Sequence, residues 1–323
     1  MGSSPMRIPV ASASRPAGGI GAFATGVFLC LFLAVAAARG ETLVIATYNI
    51  ENYNSTNRMT PDGYEKDYPK PEAEKTALRA VICALHADIL VLEEMGPQPY
   101  LDELRRDLAK EGEVYPHAFL LDGPDPERHV ALLAKRPWKS VTPHVDLDFP
   151  YFGVREKTKR GVLEVTFATA GGEITLWGLH LKSRFTERAD DPDSAREREG
   201  EAMAIRNVIL KKFPNPATAQ FLILGDFNDS KASKPLQYFT RRGTTDIASI
   251  LPAADAHGEI WTQFYAKEET YSCLDHVLMS PGLRAAVRGR RARIFDAPEV
   301  RLASDHRPVV VTLDLPDVPP VEK

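Results

Sequence analysis

The sequence predicts a mixed α/β (α+β) protein in which two packed β-sheets are covered by helices on the outside. The chain has 323 residues, of which 44% are hydrophobic and 26% charged, as is typical of a soluble globular protein with a large core. After the first forty residues, short apolar runs typical of buried strands alternate with stretches whose apolar residues recur at helical spacing. This part of the sequence contains no second linker, internal repeat or low-complexity tract, so a single domain is expected.

The order of elements follows from the spacing of apolar residues. Pro71 opens a helix, because the apolar residues after it recur at the spacing of one buried face. The long region before Pro71 is polar and predicts a loop. In chain order we predict a strand at 42–49, a loop at 54–71, a helix from Pro71, a strand at 88–94, a helix at 100–110, strands at 130–134, 161–169 and 173–181, a charged loop at 182–193, a helix to about 212, and strands from Phe221 and at 260–265, 272–280 and 308–313.

The first 38 residues predict a secretory signal peptide. Arg7 and Arg15 precede an apolar stretch at about 18–38 that ends in small residues. Because this stretch approaches membrane-spanning length, a retained anchor is the alternative. Without the leader, 38 basic and 44 acidic residues remain, a net charge of −6, which argues against a general attraction to polyanions. We expect a secreted or periplasmic domain at residues 41–316 with a short tail at 317–323, or a membrane-anchored form of it.

Polar side chains collect where the apolar strands end. Residues 221–229 (FLILGDFND) lead four bulky apolar residues into an acid and an amide, and other strands end in the same way. Acids and amides supply hard oxygen ligands that suit Mg²⁺ or Mn²⁺, and histidines exchange protons near neutral pH. Each residue alone also suits an ordinary turn or structural role, but the repetition at five strands indicates a site for phosphate ester hydrolysis. The residues concerned are Asn49, Glu94, His180, Asp226, Asn228, Asp275, Asp305 and His306.

The motifs TYNIENY, DILVLEEM, GLHLKS, GDFND, LDHVLMS and SDHRP occur in the order of those of the endonuclease/exonuclease/phosphatase (deoxyribonuclease I-like) superfamily, which the chain resembles over residues 43–313. This family includes the pancreatic-type deoxyribonuclease, the abasic-site endonucleases, the inositol polyphosphate 5-phosphatases and the bacterial sphingomyelinases. The resemblance implies a four-layer sandwich of two stacked, mainly antiparallel β-sheets flanked by helices, with the site at one edge of the sheets. It also implies a phosphoric ester hydrolase that uses Mg²⁺, Mn²⁺ or Ca²⁺.

The resemblance assigns the metal to three of these side chains. Glu94, helped by Asn49, would hold the divalent ion, and Asp305 would contribute to the metal cluster. Where the family commonly has Gln before its metal-binding Glu, this chain has Glu93. The choice of ligand between Glu93 and Glu94 therefore stays open.

The resemblance assigns the chemistry to a second group of side chains. Asp226 with Asn228 would orient the nucleophilic water or bind a second metal. His306, oriented by Asp275, would act as a general base or hold the scissile phosphate. His180 would donate a proton or a hydrogen bond to that phosphate. An acid beside His306 is expected to raise its pKa and fix its tautomer.

Arg160 and Lys182 are the residues expected to contact the substrate phosphate. Arg160 precedes a strand at a position where deoxyribonuclease-like members carry a phosphate-contacting Arg, although a solvated hairpin charge is an equal alternative. Lys182 follows His180 closely in sequence. Those members also pair the first catalytic His with an acid; the nearest register here gives His129, with Glu127 two residues earlier, which puts that pairing in doubt.

The predicted substrate is a phosphodiester, with nucleic acid preferred because the charged loop at 182–193 would line an open groove. His at position 180 rather than Asn favours the deoxyribonuclease, sphingomyelinase and unassigned bacterial branches over the abasic-site endonucleases. The alternative is a sphingomyelinase-like or inositol-phosphate phosphatase acting on lipid headgroups. Such enzymes need an apolar membrane-docking element, for which Phe149, Tyr151 and Phe152 in DFPYFG are the candidates. A noncatalytic binding protein is a third reading. We expect a monomer without a stable protein partner.

The sequence leaves two further questions open, the role of an arginine cluster and the pairing of two cysteines. Five arginines within residues 284–293 would either contact a polyanion or membrane surface, or form an exposed connection. Cys83 and Cys273 would either form a disulfide or remain two buried thiols, and their spacing disfavours a zinc site.

Overall fold

The computed structural model describes residues 40–60, 62–186 and 188–316. The predicted leader at 1–38 and the tail at 317–323 lie outside the described residues. The helices are α1 (Glu72–Leu85), α2 (Gln98–Lys110), α3 (Ala195–Lys212), α4 (Lys234–Thr240) and α5 (Val300–Ala303). The strands are β1 (Glu41–Tyr53), β2 (Ser55–Thr60), β3 (Gly63–Pro69), β4 (Ile89–Met95), β5 (His117–Leu121), β6 (His129–Ala134), β7 (Ser140–His144), β8 (Asp148–Tyr151), β9 (Val154–Lys157), β10 (Val162–Thr169), β11 (Gly172–His180), β12 (Phe221–Asp226), β13 (Arg241–Arg242), β14 (Thr245–Asp246), β15 (Ser249–Ile250), β16 (Ala253–Ala254), β17 (Gln263–Tyr265), β18 (Thr270–Ser272), β19 (Asp275–Met279), β20 (Ala292–Ile294) and β21 (Val309–Leu315).

Two sheets form the centre of the structure. A seven-stranded sheet has the order β16-β20-β21-β1-β4-β6-β5, and a six-stranded sheet has the order β15-β19-β12-β11-β10-β7. Most neighbouring strands are antiparallel. The short strand β16 pairs with β20 in parallel, and among the longer strands the parallel pairs are β1 with β4 and β11 with β12. Because parallel strands end at the same edge of a sheet, these two pairs bring the ends of four motif-bearing strands to defined edges.

The sheets and helices stack in four layers. Successive strand residues face opposite sides of a sheet, so Ile45 packs into the core between the sheets while Ala46 packs beneath the helices. Helices α1, α2 and α5 cover the outer face of the seven-stranded sheet, as Leu78 does from α1. Helices α3 and α4 cover the outer face of the six-stranded sheet through residues such as Ile205 and Leu236. The four-layer sandwich expected from the resemblance is confirmed.

The region predicted as a loop at 54–71 is instead largely a β-hairpin. Strands β2 and β3 pair in antiparallel fashion, and Met59 lies opposite Tyr64 near the tip. Both side chains are exposed, at 78% and 58%. The hairpin is solvated on both faces, so it lacks the alternation of polar and apolar residues by which a half-buried strand is recognised.

The segment DFPYFG does not form a free apolar surface. Phe149 and Tyr151 are buried, and the missing side chain of Gly200 on α3 leaves the space that the Phe149 ring occupies. Phe152 is partly exposed, but the guanidinium groups of Arg188 and Arg196 lie 4.5 and 5.0 Å from its ring centre. Phe149 and Tyr151 are therefore core residues, and the expectation that they dock to a membrane is wrong, whereas Phe152 keeps 38% of its surface exposed.

In the arginine-rich segment at 284–293, two arginines contact other residues of the protein, and neither cysteine forms a disulfide. Arg288 forms an ion pair with Asp314, and Arg293 lies over the ring of Phe295. Cys83 and Cys273 are both unpaired. Across the described residues, the helices are too short or too polar for any of them to cross a membrane.

Candidate active site

Three of the predicted residues form one row across the six-stranded sheet. His180 at the end of β11 is in register with Asp226 on β12, and Asp226 is in register with Asp275 on β19. Residues in register on neighbouring strands point to the same face, so the three side chains lie together. All three are at least 98% buried. Gly225 permits this arrangement, because it has a φ of 145° and a Cβ there would collide with the carbonyl oxygen of Leu179.

His306 joins this row from the segment before β21. Its Nδ1 lies 2.8 Å from Oδ2 of Asp275, so the ring donates Nδ1–H to the carboxylate. Ser304 fixes the backbone here, since its Oγ accepts from the His306 amide and donates to the carbonyl of Asn49. Burial alone would lower the pKa of His306, but the charges of Asp275 and other nearby acids outweigh it and raise the pKa well above its usual value.

Asp226 lies at the centre of the predicted site. Its Oδ2 accepts hydrogen bonds from the side-chain NH₂ groups of Asn49 at 3.0 Å and of Asn228 at 3.2 Å. Its Oδ1 accepts from the backbone N–H of Asn228. Its Oδ2 is also 4.0 Å from Nε2 of His306. Burial, followed by the charge of Asp275, raises the pKa of Asp226 to about 7. The side chain is therefore poised to exchange a proton near neutral pH.

A second group of acids lies on the more exposed side of His306. Oδ1 of Asp305 is 4.0 Å from Nε2 of His306. Glu94 is half-buried, and its Oε2 accepts from the Asn52 amide at 2.9 Å. Glu94 has a φ of 61°, a strained left-handed conformation that is common at functional sites. Burial raises the pKa of Asp305, and the charge of Glu94 adds to this effect.

Glu51 also belongs to this acidic group, although the sequence analysis does not single it out. Its Oε2 accepts from the Asp305 amide at 3.1 Å. Burial and then the charge of Asp305 raise the pKa of Glu51 to about 7. The only sequence signal is an acid two positions after Asn49, which carries little information without the fold.

Glu93 and Glu94 occupy different environments. Glu93 is fully buried, and its Oε1 accepts from the Thr47 hydroxyl at 2.6 Å. Its Oε2 has no hydrogen-bond partner among the described residues. Burial raises the pKa of Glu93, and the charges of Asp275 and Asp226 add to this effect. Glu93 is thus a buried acid on β4 of the seven-stranded sheet, whereas the half-buried Glu94 belongs to the acidic group with Asp305.

The donor atoms fit a divalent metal ion. Asp226, Asp275 and His306 each offer a ligand atom, and these atoms lie within 4.8 Å of one another. Asp275 already bonds His306 through Oδ2, so it suits an orienting role, and its Oδ1 has no partner among the described residues. Burial is the largest cause of the raised pKa of Asp226 and of Asp305, and a cation beside them would stabilise both charged carboxylates. Hard oxygen donors of this kind favour Mg²⁺ or Mn²⁺.

His180 is held differently from His306. Its Nε2 is 3.6 Å from Oδ2 of Asp226, and its Nδ1 has no partner among the described residues. Burial, followed by the charge of Arg160, lowers its pKa well below the usual value, so the ring is neutral. His129 contacts the carbonyl of Leu121, while the Glu127 carboxylate bonds its neighbour Arg128. No carboxylate in the described structure hydrogen-bonds Nδ1 of His180.

Arg160 and Lys182 differ in how free their charged groups are. Arg160 is buried, and its Nη2 lies 3.0 Å from Oδ2 of Asp125, while its Nε and Nη1 have no partner among the described residues. These donors are available to an anion. The Lys182 ammonium instead donates to the carbonyls of Ser183 and Phe185 in its own loop. The structure thus keeps Arg160 next to His180 but turns the Lys182 ammonium into the loop.

Residues 46–306 match the model of the Endonuclease/Exonuclease/phosphatase family, and the chain belongs to this family. It is therefore a phosphoric ester hydrolase, as the motif resemblance implied.

Among solved structures it resembles sphingomyelinase C from Streptomyces griseocarneus, with 17% identity, a TM-score of 0.59 and coverage of 85% of this chain and 100% of that one. It also resembles the beta toxin of Staphylococcus aureus with bound magnesium ions, with 16% identity, a TM-score of 0.59 and coverage of 84% of this chain and 99% of that one. A third similar structure is the human Nocturnin catalytic domain with a bound sulfate anion, with 16% identity, a TM-score of 0.57 and coverage of 84% of this chain and 96% of that one. At these identities the likeness concerns the fold. No curated protein matches the chain by sequence.

Proposed function

We propose that this protein is an exported, divalent-metal-dependent phosphodiesterase that cleaves nucleic acid. The main support for a phosphodiesterase is the buried pair of His306 and Asp275 beside Asp226. This pair lies next to the acidic group of Glu94 and Asp305. A bound Mg²⁺ or Mn²⁺ would act as a Lewis acid on the phosphate oxygens. Glu94 and Asp305, with Asn49 and Glu51 nearby, would hold this ion.

The chain's own residues have distinct roles in this proposal. As water attacks the phosphorus and the bond to the leaving oxygen breaks, Asp226 accepts a proton from that water, and the backbone amide of Asn228 fixes the orientation of the Asp226 carboxylate. His306 is protonated and holds a phosphate oxygen through Nε2, while Asp275 fixes its ring. Neutral His180 donates a hydrogen bond to the same phosphate. Arg160 offers its free guanidinium donors to a second phosphate oxygen.

A cavity beside the reacting groups supports nucleic acid as the substrate. It has a volume of about 280 Å³ and borders both Asp305 and His306. Its outer wall includes Phe264 and Trp261, and the Arg301 guanidinium lies 5.4 Å from the Phe264 ring centre. Aromatic rings and Arg side chains together suit the stacking of bases next to a scissile phosphate.

The alternative substrate is a phospholipid headgroup, and a different observation favours it. Met59 and Tyr64 are exposed at the tip of the β2–β3 hairpin, whose base adjoins Glu51 and Asn52. Apolar side chains at such a tip suit insertion into a membrane surface. A sphingomyelinase-like activity requires this kind of element.

A substrate panel tests the proposal. Purified protein with Mg²⁺ or Mn²⁺ is incubated with plasmid DNA, RNA, sphingomyelin vesicles and a phosphoinositide, with His306→Ala as the control for contaminating activity. We expect cleavage of DNA or RNA that EDTA and His306→Ala both abolish. Cleavage of sphingomyelin or phosphoinositide alone, lost in Met59→Ser/Tyr64→Ser, would establish the alternative instead.

Export and a monomeric state are part of the same proposal. The basic residues and apolar run before the domain support a cleaved leader. Mass spectrometry of protein from the extracellular or periplasmic fraction should show a chain that starts near residue 39. An intact N-terminus in the membrane fraction would instead support the anchored form. Light scattering of the mature protein should give the mass of one chain.

A further inference from the structure

Helix α3 buries charged side chains in its first two turns. Glu197, Arg198 and Glu201 are all more than 90% buried. Burying a charge is costly unless hydrogen bonds or opposite charges compensate it. The partners of these side chains therefore indicate what the helix holds in place.

Glu201 joins two segments that are distant in sequence. Its Oε1 accepts from the Lys159 amide and its Oε2 accepts from the Lys182 amide, each at 2.7 Å. Lys159 immediately precedes Arg160, and Lys182 lies two residues after His180. One carboxylate thus fixes the backbone next to both groups that the proposed function places on the substrate phosphate.

The surroundings of Arg160 agree with this arrangement. Asp125 holds one end of its guanidinium through Nη2, which leaves Nε and Nη1 without partners among the described residues. Burial raises the pKa of Glu201, and the hydrogen bonds from the Lys159 and Lys182 amides, followed by the charge of Arg160, oppose this effect. Arg198, three residues before Glu201, donates to the Lys182 carbonyl and strengthens the same attachment.

We propose that Glu201 is a positioning residue. By fixing the backbone amides of Lys159 and Lys182, it aligns Arg160 and His180 on the same substrate phosphate. This inference rests on the proposed function, because it assumes that Arg160 and His180 bind the phosphate. Glu201 itself is buried, and both of its carboxylate oxygens already accept backbone amides, so we expect it to contact neither the substrate nor the metal. Its removal should therefore weaken phosphate binding without weakening metal binding.

The test is a double-mutant cycle measured by calorimetry. Inorganic phosphate is titrated into Mg²⁺-loaded wild type, Glu201→Gln, Arg160→Ala and the double variant, and Mg²⁺ is titrated into each metal-free protein. In Glu201→Gln the side-chain NH₂ faces one of the two backbone amides, so at least one hydrogen bond is lost. We expect phosphate affinity to fall about tenfold, because small displacements of binding groups are costly, while Mg²⁺ affinity stays within twofold.

The cycle separates positioning from general stability. In the Arg160→Ala background, Glu201→Gln should lower phosphate affinity by clearly less than in the wild-type background, since only one of the two groups that it positions, His180, is still present. Glu197→Gln is the matched control, because Glu197 is buried one turn earlier on α3 and pairs with the Lys159 ammonium at 3.3 Å, but accepts neither backbone amide. It should leave phosphate affinity unchanged. If Glu201→Gln does not fold, Glu201→Asp replaces it, since the shorter side chain keeps the charge but cannot reach both amides.

Two results would overturn the inference. The first is equal phosphate affinity in wild type and Glu201→Gln, including no binding by either. The second is a full effect of Glu201→Gln in the Arg160→Ala background. Phosphate binding does not require turnover, so a wild type that binds phosphate but hydrolyses no phosphodiester would contradict the proposed function and leave this test intact.

Discussion

Replacing Asp275 by Asn should lower both the pKa of His306 and the turnover number. The Asp275 carboxylate accepts Nδ1–H of His306 at 2.8 Å in a site where both side chains are at least 95% buried. Asn keeps the shape but removes the charge that raises the pKa of His306, so the opposing effect of burial gains weight. A hydrogen bond to a charged group contributes about 1.5–3 kcal/mol, which corresponds to roughly a 10- to 150-fold loss in kcat if the protonated ring acts in the transition state.

The measurement is an NMR pH titration of the His306 ring in the metal-free protein, together with the dependence of kcat on pH. In the wild type the ring should remain protonated well above pH 6.5, and in Asp275→Asn it should lose its proton at lower pH. Glu164→Gln is the control, since Glu164 bonds His144 at 2.8 Å outside the site and is a carboxylate–histidine pair of the same kind. An unchanged His306 titration in Asp275→Asn would refute the reasoning.

Three further predictions concern the metal, the acids and the fold. Asp305→Ala should weaken Mg²⁺ or Mn²⁺ binding at least tenfold in calorimetry, and an unchanged affinity would remove Asp305 from the ligand set. Asp226 has a pKa of about 7 in the folded metal-free protein, against an ordinary value of 3.8. Between these two pH values the folded protein binds one proton more than the unfolded chain. Its free energy of unfolding therefore falls as pH rises from about 4 to about 7, by roughly 4 kcal/mol at most. Urea unfolding at pH 5 and pH 8 should show that Asp226→Asn reduces this fall, whereas an identical fall in the variant would contradict the assignment. Phe149→Ala should lower the free energy of unfolding by about 3–5 kcal/mol because the ring is core, and a neutral effect would restore its role as a surface element.

The buried strands and the residues at their ends were predictable from sequence. The run that ends in Asp226 is apolar on both faces, and such a strand stops at the edge of a sheet, where polar groups become useful. The same reasoning placed His180 and Asp275 at strand ends, and the structure sets all three in register. Periodicity was informative here because burial on both faces leaves few alternatives.

Other parts of the site could not be predicted because their partners are distant in sequence. Glu51, Asp125 and Glu201 are single acids without a periodic signature, and each gains its meaning from an amide or guanidinium that only the fold brings near. The exposed hairpin at β2 and β3 was missed for a related reason, since solvated strands lack a buried face. The role given to Phe149 failed because an apolar ring in a polar segment does not reveal that a glycine on α3 leaves room for it.

The most direct test of the account is the hydrolysis of bis(p-nitrophenyl) phosphate by purified protein, with and without Mg²⁺ or Mn²⁺, in wild type and His306→Ala. The site described here predicts hydrolysis that requires the metal, stops with EDTA and falls by at least about 10²-fold in His306→Ala. Equal rates in the two proteins, or a wild type that neither hydrolyses the ester nor binds a divalent ion, would contradict it.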